Sequence, residues 1–351
     1  MKIADITSYL EQVYPLKYAL DWDNCGLQVG DLLGQTDTVV ITLTVTPQVV
    51  EKALALGSKL IIAHHPLIFT PLKHLDTSSP SGKLIQTIIQ NELTVYSLHT
   101  NLDIASKGVS DALAAKFGCA QTQVLQVTNS EKLSKLIVYI PAEYFLQFRE
   151  QFLQTKVGHI GNYSHCSFSS LGEGTFLPEQ ESHPFIGEIG HLSKVQEYKL
   201  ETIVKDADVS QVLALMKNYH PYEEVAYDLV PLINTGQQVG LGRYAEVSPL
   251  SLGEFSQKWP AGSLKGNTDS QKSIKRIGFC GGNGSSLLKR VIALDIDLYI
   301  TAEIGYHDEL LAKDHNLTVL DLGHELSEVP VLDTLQKVLN DKFPSLTLEV
   351  V

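Results

Sequence analysis

Cysteine is scarce in this 351-residue chain: Cys25, Cys119, Cys166 and Cys280 lie far apart and form no CxxC pair. Neither a disulfide framework nor a thiolate zinc site is expected. Long apolar runs are also missing, and Met1-Lys2-Ile3-Ala4-Asp5 has no basic segment leading into an apolar one. A spanning helix and a signal peptide are therefore not expected, and the expected compartment is the cytoplasm. Positive charge is short as well, with 27 Lys and Arg against 40 Asp and Glu and a net charge of −13. That balance opposes non-specific binding to nucleic acid or an anionic membrane and leaves a small molecule or a protein as the expected partner. What the chain does hold is a 44% hydrophobic fraction, enough length for two domains, and 12 histidines.

Apolar residues recur at helical spacing at Ile3, Ile6, Leu10 and Val13. Strand and helix then alternate: strand 38–45, helix 49–56, strand 59–63, helix 82–91, strand 94–98 and helix 108–117. The same alternation returns as strand 276–280, helix 285–294, strand 297–301, helix 306–313, strand 317–322 and a last helix before Asn340. This is the pattern of mainly parallel sheets. Between them the order becomes strand 135–140, helix 142–153, a Gly- and Ser-rich stretch, strand 198–204, helix 209–218 and strand 224–230. The expected architecture is α/β, with two α/β halves (1–130 and 233–351) forming one core interrupted at 131–232 by a ferredoxin-like α+β insert. Trp259 to Ser273, containing Pro260, Gly262, Gly266 and Asn267, reads as a surface loop.

Sites in open α/β sheets form beyond the carboxyl ends of strands. His64-His65-Pro66, His99 through Asp103, Glu303, and His324 with Glu328 all follow predicted strands. Imidazole with carboxylate suits zinc, iron or manganese, and His64, His65, Asp103, His324 and Glu328 suffice for two divalent ions. Two such ions sharing a hydroxide make a hydrolytic centre. Each residue also has a plainer reading. Consecutive strand residues face opposite ways, so His64 and His65 act together only if the chain turns there. Asp103 suits a turn, and Glu328 suits a helix N-terminus. His324 and Glu328 share a face if helical, which puts Pro330 in a first turn or at a kink. The Gly281–Ser285 turn between strand and helix offers N–H groups to a phosphate, or is simply a tight turn. His307 reads either as a proton carrier or as a polar helix residue.

Five segments together resemble the Nif-three-like family: Asp21-Trp22-Asp23-Asn24-Cys25-Gly26-Leu27-Gln28-Val29-Gly30, Ala63-His64-His65-Pro66-Leu67-Ile68-Phe69, His99-Thr100-Asn101-Leu102-Asp103, Thr301-Ala302-Glu303 with Tyr306-His307, and Gly323-His324 through Ser327-Glu328. The resemblance implies a dinuclear metal protein of the kind labelled GTP cyclohydrolase type-two homologue, assembled as a toroidal homohexamer. It also implies His64, His65, Asp103, His324 and Glu328 as ligands and a nucleotide-like or phosphate-bearing small-molecule substrate. His99 and His307 are then the candidate catalytic proton carriers. The alternative is a metal-carrying or regulatory scaffold whose insert senses a small ligand. Family members usually carry aspartate where this chain has Thr44. The middle segment, with Gly158-His159-Ile160-Gly161-Asn162-Tyr163 and His220-Pro221-Tyr222-Glu223, resembles PII-like and CutA-like inserts. There His159, His165, His220 and Glu223 are read either as a second ligand site or as residues fixing turns at an oligomer contact.

Overall fold

Helix and strand alternate at both ends of the chain in a computed structural model that describes residues 1–259 and 262–351. The first part runs α1 (Ile3–Val13), β1 (Gly26–Val29), β2 (Thr38–Thr42), α2 (Pro47–Ala55), β3 (Leu60–Ala63), α3 (Pro80–Gln90), β4 (Thr94–Ser97), α4 (Thr100–Ile104) and α5 (Val109–Lys116). The long strand β5 (Gln123–Pro141) leads into α6 (Phe145–Phe152), β6 (Ser167–Phe176), β7 (Ser193–Lys205) and α7 (Val209–Tyr219). A second long strand, β8 (Tyr227–Ser251), leads out to α8 (Leu252–Lys258), β9 (Ser263–Gly266), β10 (Ser273–Asn283), α9 (Leu288–Ala293), β11 (Leu298–Ala302) and α10 (Tyr306–Asp314). The chain closes with β12 (Thr318–Asp321), α11 (His324–Glu328), α12 (Pro330–Lys342) and β13 (Thr347–Val350).

Residues 1–129 and 239–351 make one compact unit and residues 130–238 another. In the first unit, one sheet has the order β1-β4-β3-β2-β13 and a second has β8-β10-β11-β12-β9. The central strands β2, β3 and β4 pair in parallel and are buried almost throughout, as strands covered on both faces must be. Their helices start on local chemistry: Thr46 accepts the Val49 N–H ahead of Pro47, and Ser79 accepts the Gly82 N–H ahead of Pro80. Helix α5 serves both sheets. Val109 packs with α1, β2, β3 and α12, while Leu113, Ala114 and Phe117 pack with Phe255, Ile277, Phe279 and Ile300 of the other sheet.

In residues 130–238, strands β6, β7 and β5 pair antiparallel in that order. Phe148 and Phe152 of α6 and Val212 and Met216 of α7 cover Leu136, Val138, Ile140, Leu200 and Val204. Among the described residues, no helix is long and apolar enough to cross a membrane.

The structure departs from the expected elements at several places. Strand β13 was not anticipated; it adds in parallel to β2, so the last residues of the chain complete the sheet begun by the first. The Gly- and Ser-rich stretch contains β6, which pairs with β7 along its whole length. Part of the expected loop at 259–273 is β9, an edge strand antiparallel to β12; Pro260 in that loop lies outside the described residues. The expected boundary at residue 232 falls inside β8, which continues unbroken, and the chain leaves the second unit at Gln238.

Candidate metal centre

Strand β3 ends at Ala63, but its ladder runs on: the His64 N–H donates to Thr42 O (3.0 Å) and the His65 N–H to Leu43 O (2.8 Å). Over these two residues the backbone leaves strand geometry, and both imidazoles turn to one carboxylate. His65 Nε2 is 2.9 Å from Glu328 Oε2, and His64 Nε2 is 3.7 Å from Glu328 Oε1. Alternation along the strand therefore does not separate them. Glu328 is delivered by α11, where His324 Nε2 lies 3.2 Å from Glu328 Oε1 across one helical turn. Pro330 takes the first position of α12, so it interrupts nothing. Asp103 sits in the first turn of α4 rather than in a loop, with Oδ1 3.8 Å from His64 Nε2. Two sets of three groups bring their ligand atoms within 4.8 Å of one another, namely His64, His65 and Glu328, and His64, His99 and Asp103.

Each imidazole is held through its Nδ1. That atom of His64 is 2.7 Å from Leu98 O, in His65 2.7 Å from Thr44 Oγ1, in His99 2.8 Å from Asp23 Oδ1, and in His324 3.1 Å from Glu303 Oε1. A carbonyl or carboxylate at Nδ1 requires the proton there, which leaves Nε2 as a lone pair in the neutral ring. For His64 the consequence is acute: Nε2 is fully buried, has no hydrogen-bond partner, and faces the oxygens of Glu328 and Asp103. A lone pair facing carboxylates is repulsive unless positive charge, a proton on Nε2 or a metal ion, lies between them. This donor set, with an outer partner on every ring, fits a divalent metal ion.

Without an ion, the same carboxylates favour a proton on His64 Nε2, so the position calls for positive charge in either case. Burial pulls the His64 pKa down, but Glu328 and Asp103 outweigh it and push the value up to about 9. Burial opposes ionisation of Glu328, yet His64 and His65 hold its carboxyl well below the usual range. Burial raises Asp103, against the pull of His64 and His99. Asp23 is also buried enough to resist ionisation, but His99, Cys25 and Thr100 keep it low.

A cavity of about 290 Å³ opens beside these groups, lined by Trp22, His99, Asp103, Asn283, His324 and Glu328. In the glycine turn next to it, two of the N–H groups are already engaged. The Gly282 N–H already donates to Ser327 Oγ (2.9 Å) and the Ser285 N–H to Asn283 Oδ1 (3.0 Å). What the turn supplies is room: a Cβ on Gly282 would stand 2.5 Å from Glu328 Oε1, and Gly282 has φ +63°. His307 is exposed on α10 with Tyr306 as its ring neighbour, and among the described residues no hydrogen bond or ion pair ties it to the cluster.

The histidines of residues 130–238 form no such group. His220 is buried, donates from Nε2 to Tyr139 O and accepts the Tyr222 N–H at Nδ1, and burial lowers its pKa. His165 meets Ser164, His159 is exposed, and Glu223 accepts the His183 N–H. Among the described residues none of the four belongs to a metal-capable set. Sequence reasoning missed Asp23 and Glu303 as anchors of His99 and His324. Asp23 lies in the Asp21–Gly30 segment and Glu303 at a strand end, but their pairing with histidines 76 and 21 residues away has no local signature.

With this geometry in place, the sequence profile of Duf34/NIF3 (NGG1p interacting factor 3) matches residues 1–351. The chain belongs to the Duf34/NIF3 family. A Halalkalibacterium halodurans protein named GTP cyclohydrolase 1 type 2 homolog is 38% identical over 355 residues, covering 97% of this chain and 95% of that one. A Bacillus subtilis protein of the same name is 38% identical over 345 residues, covering 96% and 92%. The crystal structure of a Bacillus cereus protein related to NIF3 superposes with a TM-score of 0.86 at 35% identity, covering 99% of this chain and 96% of that one. The α/β architecture with two sheets is thus the architecture of NIF3-related proteins.

Proposed function

We propose that this NIF3-family chain holds two divalent metal ions through His64, His65, Asp103, His324 and Glu328 and is a metal-dependent hydrolase of a nucleotide-like or phosphate-bearing substrate. The buried, unpartnered Nε2 of His64 between two carboxylates carries the metal reading. The names of the relatives support GTP-like substrates as the first class to try. Divalent ions in such a site supply Lewis acidity and water of lowered pKa.

The chain's own residues do the rest. Glu328 spans the site, with Oε2 toward His65 and Oε1 toward His64 and His324. Leu98 O, Thr44, Asp23 and Glu303 fix the ring orientations, so that little reorganisation is needed when a ligand enters. His99, anchored by Asp23 and lining the cavity, is placed to hold or move a proton at Nε2. His99 also stands within ligand reach of His64 and Asp103.

The test is elemental analysis of folded, tag-free wild type and Glu328→Gln, followed by assay of GTP and other nucleotides. About two divalent ions per chain in the wild type, a clear drop in the variant, and metal-dependent hydrolysis are expected. Negligible metal after reconstitution would remove the metal reading. Full metal content with no turnover across nucleotides would favour the metal-carrying scaffold.

A further inference from the structure

Residues 130–238 form an open pocket of about 460 Å³ that the metal centre does not explain. Four aromatic residues line it, Tyr139, Phe176, Phe185 and Tyr222. Phe176 and Tyr222 meet at 5.9 Å between centroids and 65°, and Phe185 and Tyr222 at 6.5 Å and 58°. Glu197, Glu223 and Glu224 line the same space, and among the described residues no lysine or arginine does.

Glu197 is set there deliberately by its surroundings. Its Oε1 accepts the Tyr222 O–H at 3.1 Å, and its other oxygen lies 2.1 Å from where a Cβ on Gly174 would be, so only glycine leaves it room. Burial, then the nearby Glu197 charge, pushes the Tyr222 phenol up, which keeps it a neutral donor. Neither Glu197 nor Glu224 has an ion-pair partner among the described residues, whereas Glu223 takes the His183 N–H and lies 3.9 Å from its Nδ1.

Aromatic faces and carboxylates share a preference for positive charge. An anion would be repelled, and a neutral apolar molecule would strip water from the carboxylates without compensation. A bare metal ion is a poor fit, because these three carboxylates are not among the groups that converge to ligand distance. We propose that this pocket binds a small organic ammonium ion, its charge lying against the rings of Phe176, Phe185 and Tyr222 and toward the Glu197 carboxylate. The site is independent of the hydrolase reading and of the metal centre.

Calorimetric titration of the full-length protein with choline and phenethylammonium, beside the neutral isostere 3,3-dimethylbutanol, tests it. Saturable binding of at least one ammonium and none of the isostere is expected. Glu197→Gln should weaken binding about tenfold or more, and so should Phe185→Ala. Phe185 is half-exposed and outside the core of this unit, so its truncation leaves the fold intact. Gly174→Ala, whose backbone tolerates alanine but whose Cβ displaces Glu197, should reproduce the loss. Binding of neither ammonium, equal binding of the isostere, or indifference to Glu197→Gln would overturn the assignment.

Discussion

Four imidazoles in the candidate centre are each clamped at Nδ1, and the clamps differ in strength. A carboxylate holds His99 and His324, a carbonyl holds His64, and His65 has only the hydroxyl of Thr44. An outer hydrogen bond both orients the ring and sets its basicity, so Thr44→Ala should lower metal affinity about tenfold. Competition with a chromophoric chelator measures this, and unchanged affinity would mean that His65 is positioned by packing alone. Gly282 acts through space rather than charge. Gly282→Ala places a Cβ against Glu328 Oε1 and a side chain at φ +63°, so metal content should fall and the protein should lose about 1 to 2 kcal/mol of stability. Metal analysis with urea denaturation reads both effects.

At the level of elements, the site is built where strands stop. Asp321 at the end of β12 accepts the N–H groups of Glu303, Ile304 and Gly323 and the Lys265 Nζ, so it joins the ends of β11 and β12 to the entry of α11. Glu303 has φ +57°, a conformation costly for a non-glycine residue, and these bonds hold it there. Burial resists ionisation of Asp321, but Lys265 and the N–H groups of Gly323 and Ile304 lower its pKa below the ordinary value. A depressed carboxyl stabilises the fold above its unfolded pKa and loses that contribution as pH falls through the folded value. Stability should therefore decline below about pH 4, and Asp321→Asn should flatten that acid limb and cost about 1 kcal/mol at neutral pH. Denaturation midpoints from pH 3 to 7 decide it, and parallel curves for the two proteins would exclude this role.

For the whole first unit, the question is what joins its two sheets around the centre. The Arg243 guanidinium, almost wholly buried, donates to Asp111 Oδ2 at 2.9 Å, Gly240 O at 2.7 Å, Gly242 O at 2.9 Å and Ala105 O at 2.7 Å. It links β8 to the junction of α4 and α5, and α4 carries Asp103. Arg243→Met leaves Asp111 without its cation and several carbonyls without donors, so unfolding free energy should drop by about 3 kcal/mol in chemical denaturation. A loss of only a few tenths would show the bonds to be replaceable by water.

Local pattern was enough to read the alternating elements and the edge where the histidines and carboxylates fall, because helical and strand periodicity and the strand-end rule are properties of short segments. Even the helical pairing of His324 with Glu328 was legible, since it spans one turn. The convergence of His64 and His65 on Glu328, 263 residues away for His65, was not. Nor was the return of β13 to β2, the use of the glycine turn as clearance for Glu328, or the pairing of Asp23 with His99. Each depends on which strand ends lie side by side, and sheet order is set by packing between distant parts of the chain, which no local spacing encodes.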